Sequence, residues 1–171
     1  MSQRDCSRCT ALTKQGTQCS RTTCKYSHMC FQHSKSTHGL QVKTSHIPNT
    51  GQGLYTTKTI KKGQKVASYG GNVVSQNAYN QNPSGYGIHL NNNQVLDGES
   101  TQSGRYANTC KPANKRQGQC KGQNAKLAVN HRNQTASIKA TKRIKPGEEV
   151  YVLMGTTFGK LVLNLELLVP P

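Results

Sequence analysis

Apolar residues in this chain fall in short blocks at every second position, the spacing of half-buried strands. Leu40, Val42 and Ile47 predict a strand ahead of the glycine pair Gly51-x-Gly53. Tyr86, Ile88 and Leu90 alternate, Asn91-Asn92-Asn93 turns, and Val95 and Leu96 lead to Asp97. Leu127–Val129 and Ala136–Ala140 flank Asn130-His131-Arg132-Asn133, a hairpin turn with His131 exposed. Ser137–Gly155 reads as strand, turn, strand: Ile138 and Ala140 alternate before Pro146-Gly147, and Val150 and Val152 after it. Leu161, Leu163, Leu165 and Leu167 predict a closing strand. Between these blocks, Ser34–Gly39 reads as a linker and Gln76–Pro83 as a polar loop. Cys110–Gly122 reads as an insertion carrying four cations. The pattern is mainly β.

One phrase occurs twice. Thr57–Val66 and Thr141–Val150 share T-K-x-I-K-x-G-x-x-V. Two copies cannot stack a solenoid core, so they predict two similar strand–turn–strand corners. The second corner ends in Glu148 and Glu149. Neighbouring side chains on a strand face opposite ways, so one carboxylate is expected to pair with a cation and the other to face solvent.

Composition narrows the class. At 171 residues, with 32% hydrophobic and 5% aromatic content and no Trp, the chain suits one domain with a thin core and a small appendage. It has no apolar run of about 18 residues, so no membrane span is expected. Its N-terminus is polar and lacks a signal segment, so an intracellular setting is expected. There the seven cysteines are expected to be thiols or metal ligands, not disulfides. The formal net charge is +17. Either it is a solubility charge spread over loops, or it addresses nucleic acid or acidic protein surfaces.

The first 38 residues hold five cysteines with His28, His33 and His38. Cys30-Phe31-Gln32-His33 is a C-x-x-H pair able to grip one ion from one turn. Cys9 and Cys19 close the set across a loop containing Gly16. Three thiolates and an imidazole suit tetrahedral zinc. Cys6 with Cys9 forms a competing C-x-x-C pair, Cys24 is a further candidate, and the bland alternative is a basic tail with free thiols. Residues 1–39 are therefore read as a zinc-binding segment and linker, similar to Cys/His knuckles at the front of some viral and microbial proteins, and 40–171 as the main domain. Cys110 and Cys120 are read as free thiols, with a half metal site as the alternative.

Three stretches, in order, resemble the SET domain of protein-lysine methyltransferases: GQGLYTTKTIKKGQKVASYGGNVVS, YGIHLNNNQVLDGESTQSGRYAN and NAKLAVNHRNQTASIKATKRIKPGEEVYVLMG. The resemblance implies a β-clip fold with knot-like threading that gathers two cofactor elements. By resemblance Gly51, Gly53 and Tyr55 lie against S-adenosylmethionine. Arg105, Asn108 and Thr109 form the second element, with Thr109 where histidine is usual. Tyr69 would line the lysine channel; its plainer reading is a strand aromatic in the core. Asn124 matches the family's second asparagine. Asp97 matches a family aspartate with a role in loop structure.

Methyl transfer to lysine chiefly requires positioning a neutral amine, which hydroxyls and carbonyls do without adding charge. The family's closing motif supplies a tyrosine for this, and Met154 stands there instead. Tyr151 is the nearest phenol, but by alternation it faces away from Met154 unless a bulge shifts the register. The resemblance implies a methyltransferase with histone the expected substrate class, placed in the nucleus or on chromatin. A nucleosome would reconcile a basic enzyme with a basic tail, because DNA supplies the counter-charge. The other reading is a catalytically impaired SET-fold protein that binds chromatin or nucleic acid.

Overall fold

The structure is a computed structural model, and it describes residues 6–23, 29–98 and 103–153. The proposed closing strand over 161–168, and Met154, lie outside the described residues, as do Cys24 and His28.

The N-terminal segment has a small two-stranded ladder, β1 (Ser7–Arg8) with β2 (Thr22–Thr23). Cys9, Cys19 and Cys30 form their own buried cluster, apart from the main core. A one-turn helix α1 (Phe31–His33) runs into a π-helical turn, Ser34–His38, that ends at Gly39. This corrects the linker reading. The backbone winds because Ser34 is buried and Gly39, at φ 66°, reaches the left-handed conformation that returns its N–H to the Lys35 carbonyl.

Three sheets then surround one apolar core. β3 (Leu40–Thr44) pairs with β4 (Gln52–Thr56). β6 (Asn72–Ser75), β7 (Gly87–His89) and β8 (Gln94–Asp97) form a sheet in the order β6-β8-β7. β5 (Lys65–Tyr69), β9 (Ala125–Asn130), β10 (Thr135–Ala140) and β11 (Val152–Leu153) form the largest, in the order β11-β9-β10-β5. Leu54, Ile88, Ile138, Ile144 and Val150 fill the space between them, each almost wholly buried.

Residues 76–81 are a helix, α2 (Gln76–Gln81), not a loop. Ser75 caps it through the Ala78 N–H, and buried Tyr79 anchors it by accepting the Gly87 N–H at 2.9 Å. The 110–122 insertion contains a second helix, α3 (Pro112–Arg116), begun by a proline at its first turn. Its two ends are joined by a Cys110–Cys120 disulfide, with Cα atoms 6.0 Å apart. Cys6 is also disulfide-bonded. The expectation of thiols at these three positions is overturned, and with it Cys6–Cys9 as a competing metal pair and Cys110 with Cys120 as a half metal site.

The two corners face each other. Ile60 and Ile144, the same position of the repeated phrase, exchange both backbone hydrogen bonds at 2.9 Å. The strand, turn and strand expected over Ser137–Gly155 do not pair with each other. After β10 the chain crosses to β4, where Gly147 and Val150 donate to Thr56 and Leu54. It then passes between two stretches of the earlier chain: Val152 donates to the Asn108 carbonyl, while Asn124 and Ala125 donate to the Tyr151 carbonyl. β11 pairs parallel with β9, not antiparallel with β10. Alternation reported which faces are apolar but carried no information about the partner strand.

Ile144 closes the contact between corners and is fully buried. Ile144→Ala is expected to cost about 2–5 kcal/mol and Ile144→Val about 0.5–1.5 kcal/mol, measured by urea unfolding.

Candidate functional site

A cavity of about 480 Å³ opens where the threaded segment meets the main sheet. Its walls include Tyr69 from β5, Val152 from β11, Ile138 and Leu127 from the sheet, and Arg105, Asn108 and Thr109. Asn49, Thr50, Ser84, Tyr86 and Lys111 complete much of the rim. The volume and the mixed lining suit a small-molecule site. Among the described residues no carboxylate lines it, whereas Arg105 and Lys111 do.

A short 3₁₀ turn, Ser103–Tyr106, carries Arg105 to the cavity. The guanidinium lies 5.2 Å from the Tyr86 ring centre and 4.8 Å from that of Tyr106, and donates to the Tyr106 hydroxyl at 2.8 Å. Tyr69 donates its hydroxyl to the Tyr86 carbonyl at 2.9 Å. Burial, together with nearby Tyr79, Tyr86 and Asp97, pushes its pKa far up, so it is a neutral phenol at any working pH. Asp97, itself a partner of Ser84, belongs to the loop structure beside it.

A second polar cluster lies behind the cavity, centred on Glu149. Its carboxylate is 2% exposed and accepts from Ser45 Oγ (2.7 Å), the His46 N–H (2.9 Å), Tyr55 (2.9 Å), Tyr151 (2.8 Å) and Asn108 Nδ2 (3.2 Å). Burial pushes this carboxyl up, but the bonds from Ser45, His46, Tyr151 and Asn108 outweigh it and hold it below the ordinary carboxylate value. Burial and the same carboxylate drive both tyrosine hydroxyls far up. Among the described residues, neutral donors surround this carboxylate in place of the expected cation; the His46 imidazole lies 3.6 Å away and is largely exposed. Glu148 is half-buried and accepts from its own turn, at the Lys145 N–H.

These placements sort the residues singled out in the sequence. Tyr69, Arg105, Asn108 and Thr109 meet at the cavity. Tyr55 is buried with its hydroxyl between Thr44 O and Glu149, not on the cavity wall. Gly53 borders Glu149: a Cβ there would lie 2.2 Å from Oε1, so glycine makes room for the carboxylate. Gly51, at φ 74°, faces open space. Tyr151 packs with Ile47 and the Cys110–Cys120 bridge, and its hydroxyl is committed to Glu149. Val152 takes the cavity side, so no register shift turns Tyr151 inward. Tyr86 and the Glu149 cluster were not singled out. Tyr86 carried only its place in an alternating block, and nothing local marks which of two adjacent glutamates is buried.

Cys9, Cys19, Cys30 and His33 converge, with one ligand atom from each lying within 4.8 Å of the others. Burial pushes the Cys9 thiol up, but the Cys30 and Ala11 backbone groups and His33 bring it down to about 7. The Arg21 backbone group favours the Cys19 thiolate, yet burial and the neighbouring Cys30 and Cys9 thiols leave it raised. Crowded thiols of this kind fit a tetrahedral S₃N zinc donor set, whose ion would offset their mutual repulsion.

The SET domain family model matches residues 51–153, more than half of the chain. The chain belongs to the SET domain family. This is the fold family of S-adenosylmethionine-dependent protein-lysine methyltransferases. Among solved structures, this SET chain is similar to a humanized mutant of the Chaetomium thermophilum Polycomb Repressive Complex 2 bound to the inhibitor GSK126, at TM-score 0.55 and 23% identity over 71% of this chain. It is also similar to ctPRC2 in an autoinhibited conformation bound to S-adenosylmethionine, at TM-score 0.57 and 22% identity over 72% of this chain. The alignments cover 15% and 16% of those chains. A comparison with curated proteins returns no match.

The Glu149 carboxylate makes a pH prediction. Its folded pKa lies below the unfolded value, so its stabilisation is full above about pH 4.5 and is lost as pH falls through the folded value. Glu149→Gln is expected to cost about 2–3 kcal/mol at pH 7. It should also flatten the acid limb of stability against pH, measured by urea unfolding from pH 7 to pH 3.

Proposed function

We propose that this SET domain is a protein-lysine N-methyltransferase acting on histone, in the setting of the nucleus or chromatin. The reading is carried by one observation: Tyr69, Arg105, Asn108 and Thr109, widely spaced in sequence, share the wall of a single cavity. The cavity suits S-adenosylmethionine in volume and in its supply of hydroxyl, amide and cationic groups. When bound, the donor supplies an activated methyl on a sulfonium. Arg105, Asn108 and Thr109 are the residues proposed to hold it, with Lys111 beside them. Gly51, Gly53 and Tyr55 then act by shaping the backbone next to Asn108, whose amide donates to Gln52 O at 3.0 Å.

The lysine amine, with a free pKa of about 10.4, must shed its proton to attack. The lining's described residues include two cations and no carboxylate, which disfavours the ammonium form, and neutral Tyr69 adds no charge to restore it. Tyr69 orients the channel through its ring, because its hydroxyl is held by the Tyr86 carbonyl.

A second reading has its own support. Met154 stands where the family motif has tyrosine, and Tyr151, the nearest phenol, is spent on Glu149. A SET domain so altered would hold donor or lysine tail with slow turnover or none. Calorimetry with S-adenosylmethionine and labelled methyl transfer to nucleosomes separate the readings. Binding with transfer supports the enzyme, donor or DNA binding without transfer supports the second reading, and no donor binding removes the enzyme. Met154→Tyr is expected to raise the transfer rate on the order of 10²–10³-fold, the scale of one positioning hydroxyl.

We further propose that residues 1–39 form a zinc knuckle through Cys9, Cys19, Cys30 and His33, in front of a domain spanning 40–171. Metal analysis of the purified chain is expected to find one zinc per molecule. Cys19→Ser should reduce it sharply and remove hydrogen-exchange protection from residues 7–23, while the main domain melts unchanged.

A further inference from the structure

The outer face of the β9–β10–β5 sheet carries a row of lysines. Lys139 stands directly opposite Lys126 on β9 and opposite Lys65 on β5, and all three are exposed. Direct cross-strand partners share one face, and adjacent strands lie about 4.8 Å apart, so three ammonium stems spring from a line roughly 10 Å long. A register shift between Ile138 and Lys139 creates the row. Unbroken pairing would set Val66 opposite Lys139; the shift sets Lys65 there and leaves Val66 in the core.

Like charges directly opposite one another destabilise a sheet, and here no internal counter-charge is described. The chain has six acidic residues against 23 Lys+Arg. Of the three described, Glu149 is buried, Glu148 is tied to its own turn and Asp97 is bonded to Ser84. Among the described residues no carboxylate lies within ion-pair distance of the three lysines. The next pair on the same face of the ladder is Ser137 opposite Ser68, which adds hydroxyl donors. A shallow hollow of about 620 Å³ is lined by Lys65, Lys139, Ser68, Ser137 and Thr135. A second, of about 710 Å³, shares Lys65 and Ser68 with it and continues to Lys58 and His38 near the knuckle. At the strand ends the paired corners add exposed Lys61, Lys62, Lys142 and Arg143.

We propose that this face binds the phosphate backbone of duplex DNA. Point charges on long stems beside hydroxyls are what phosphate contacts require, and such contacts need no shape-specific pocket. An acidic protein partner would need apolar anchors. The large exposed hydrophobics among the described residues, Leu12 and Val73, lie on other elements. A single strand would need exposed rings on which to stack, and the outward residues of this ladder are lysine, serine, alanine, threonine and asparagine. The proposal extends the nucleosome reading but rests on the sheet alone, since none of the three lysines lines the 480 Å³ cavity. Loss of DNA binding would leave the methyl-donor proposal standing, and the reverse holds.

The test is fluorescence anisotropy of a labelled 24-base-pair duplex with the full chain, across 50–200 mM KCl. The triple variant Lys65→Gln, Lys126→Gln, Lys139→Gln is expected to bind at least about tenfold more weakly at 100 mM and to lower the slope of log K against log salt by about 2.7. A control, Lys115→Gln, Arg116→Gln, Lys121→Gln, removes the same charge from the insertion and should change binding less than threefold. The row variant should melt no lower than the parent, because it relieves like-charge repulsion. Absence of DNA binding by the parent overturns the proposal, as does equal loss in the control. Poly-glutamate competing as well as unlabelled duplex at equal charge would also overturn it, by making the face a site for acidic protein.

Discussion

The buried carboxylate of Glu149 is the constraint around which the rest of the domain is arranged. A lone ionised group taken from water into an apolar interior is costly unless hydrogen bonds replace its hydration. Here five donors replace it, and they come from distant parts of the chain: Ser45 and His46 after β3, Tyr55 in β4, Asn108 beyond the 3₁₀ turn, and Tyr151 in the threaded segment. Because all are neutral, the charge stays on Glu149 and the bonds remain charge-assisted, the stronger kind. The one-to-many geometry makes the carboxylate a tie between loops that apolar packing alone would leave free to slide. Gly53 is the local consequence, since any side chain there would occupy the space of Oε1.

The tie also explains how the two halves of the cavity come together. Asn108 bonds both Glu149 and the Gln52 carbonyl, so the second candidate cofactor element is fixed to the backbone next to the first. Asn124 does the same from the other side, donating to the Glu149 carbonyl and accepting the Tyr151 N–H. The threaded strand therefore has little freedom to rotate. Tyr151 faces the carboxylate, and Val152 faces the cavity as the next residue along. A phenol that would be useful in the channel is held out of it by a structural bond. The disulfide across the insertion packs against Tyr151 and stiffens the same wall.

Charge is divided between the two faces of the domain. Inside, buried Glu149 is paired with hydroxyls and amides, and the charged side chains described on the cavity wall are cations. Outside, the excess cations are not scattered evenly; β-pairing and one register shift line three of them up beside hydroxyls. The net charge of +17 thus has a local form that composition does not disclose.

The alternating blocks, the two corners and the hairpin at 130–135 were legible in the sequence because each is set by residues within a few positions of one another: apolar period two, proline and glycine at turns, asparagines at a tip. The convergence of Cys9, Cys19, Cys30 and His33 was legible for the same reason, since donor type and spacing are local properties. Ser75 before α2, and Tyr79 within it, were signals of a helix that polar composition masked. What only the tertiary structure decided is which strand accepts which: that β11 lies parallel to β9, that Glu149 and not Glu148 turns inward, and that Lys65 joins Lys139. These depend on contacts between residues tens of positions apart, where loop closure and burial, not local preference, choose the outcome.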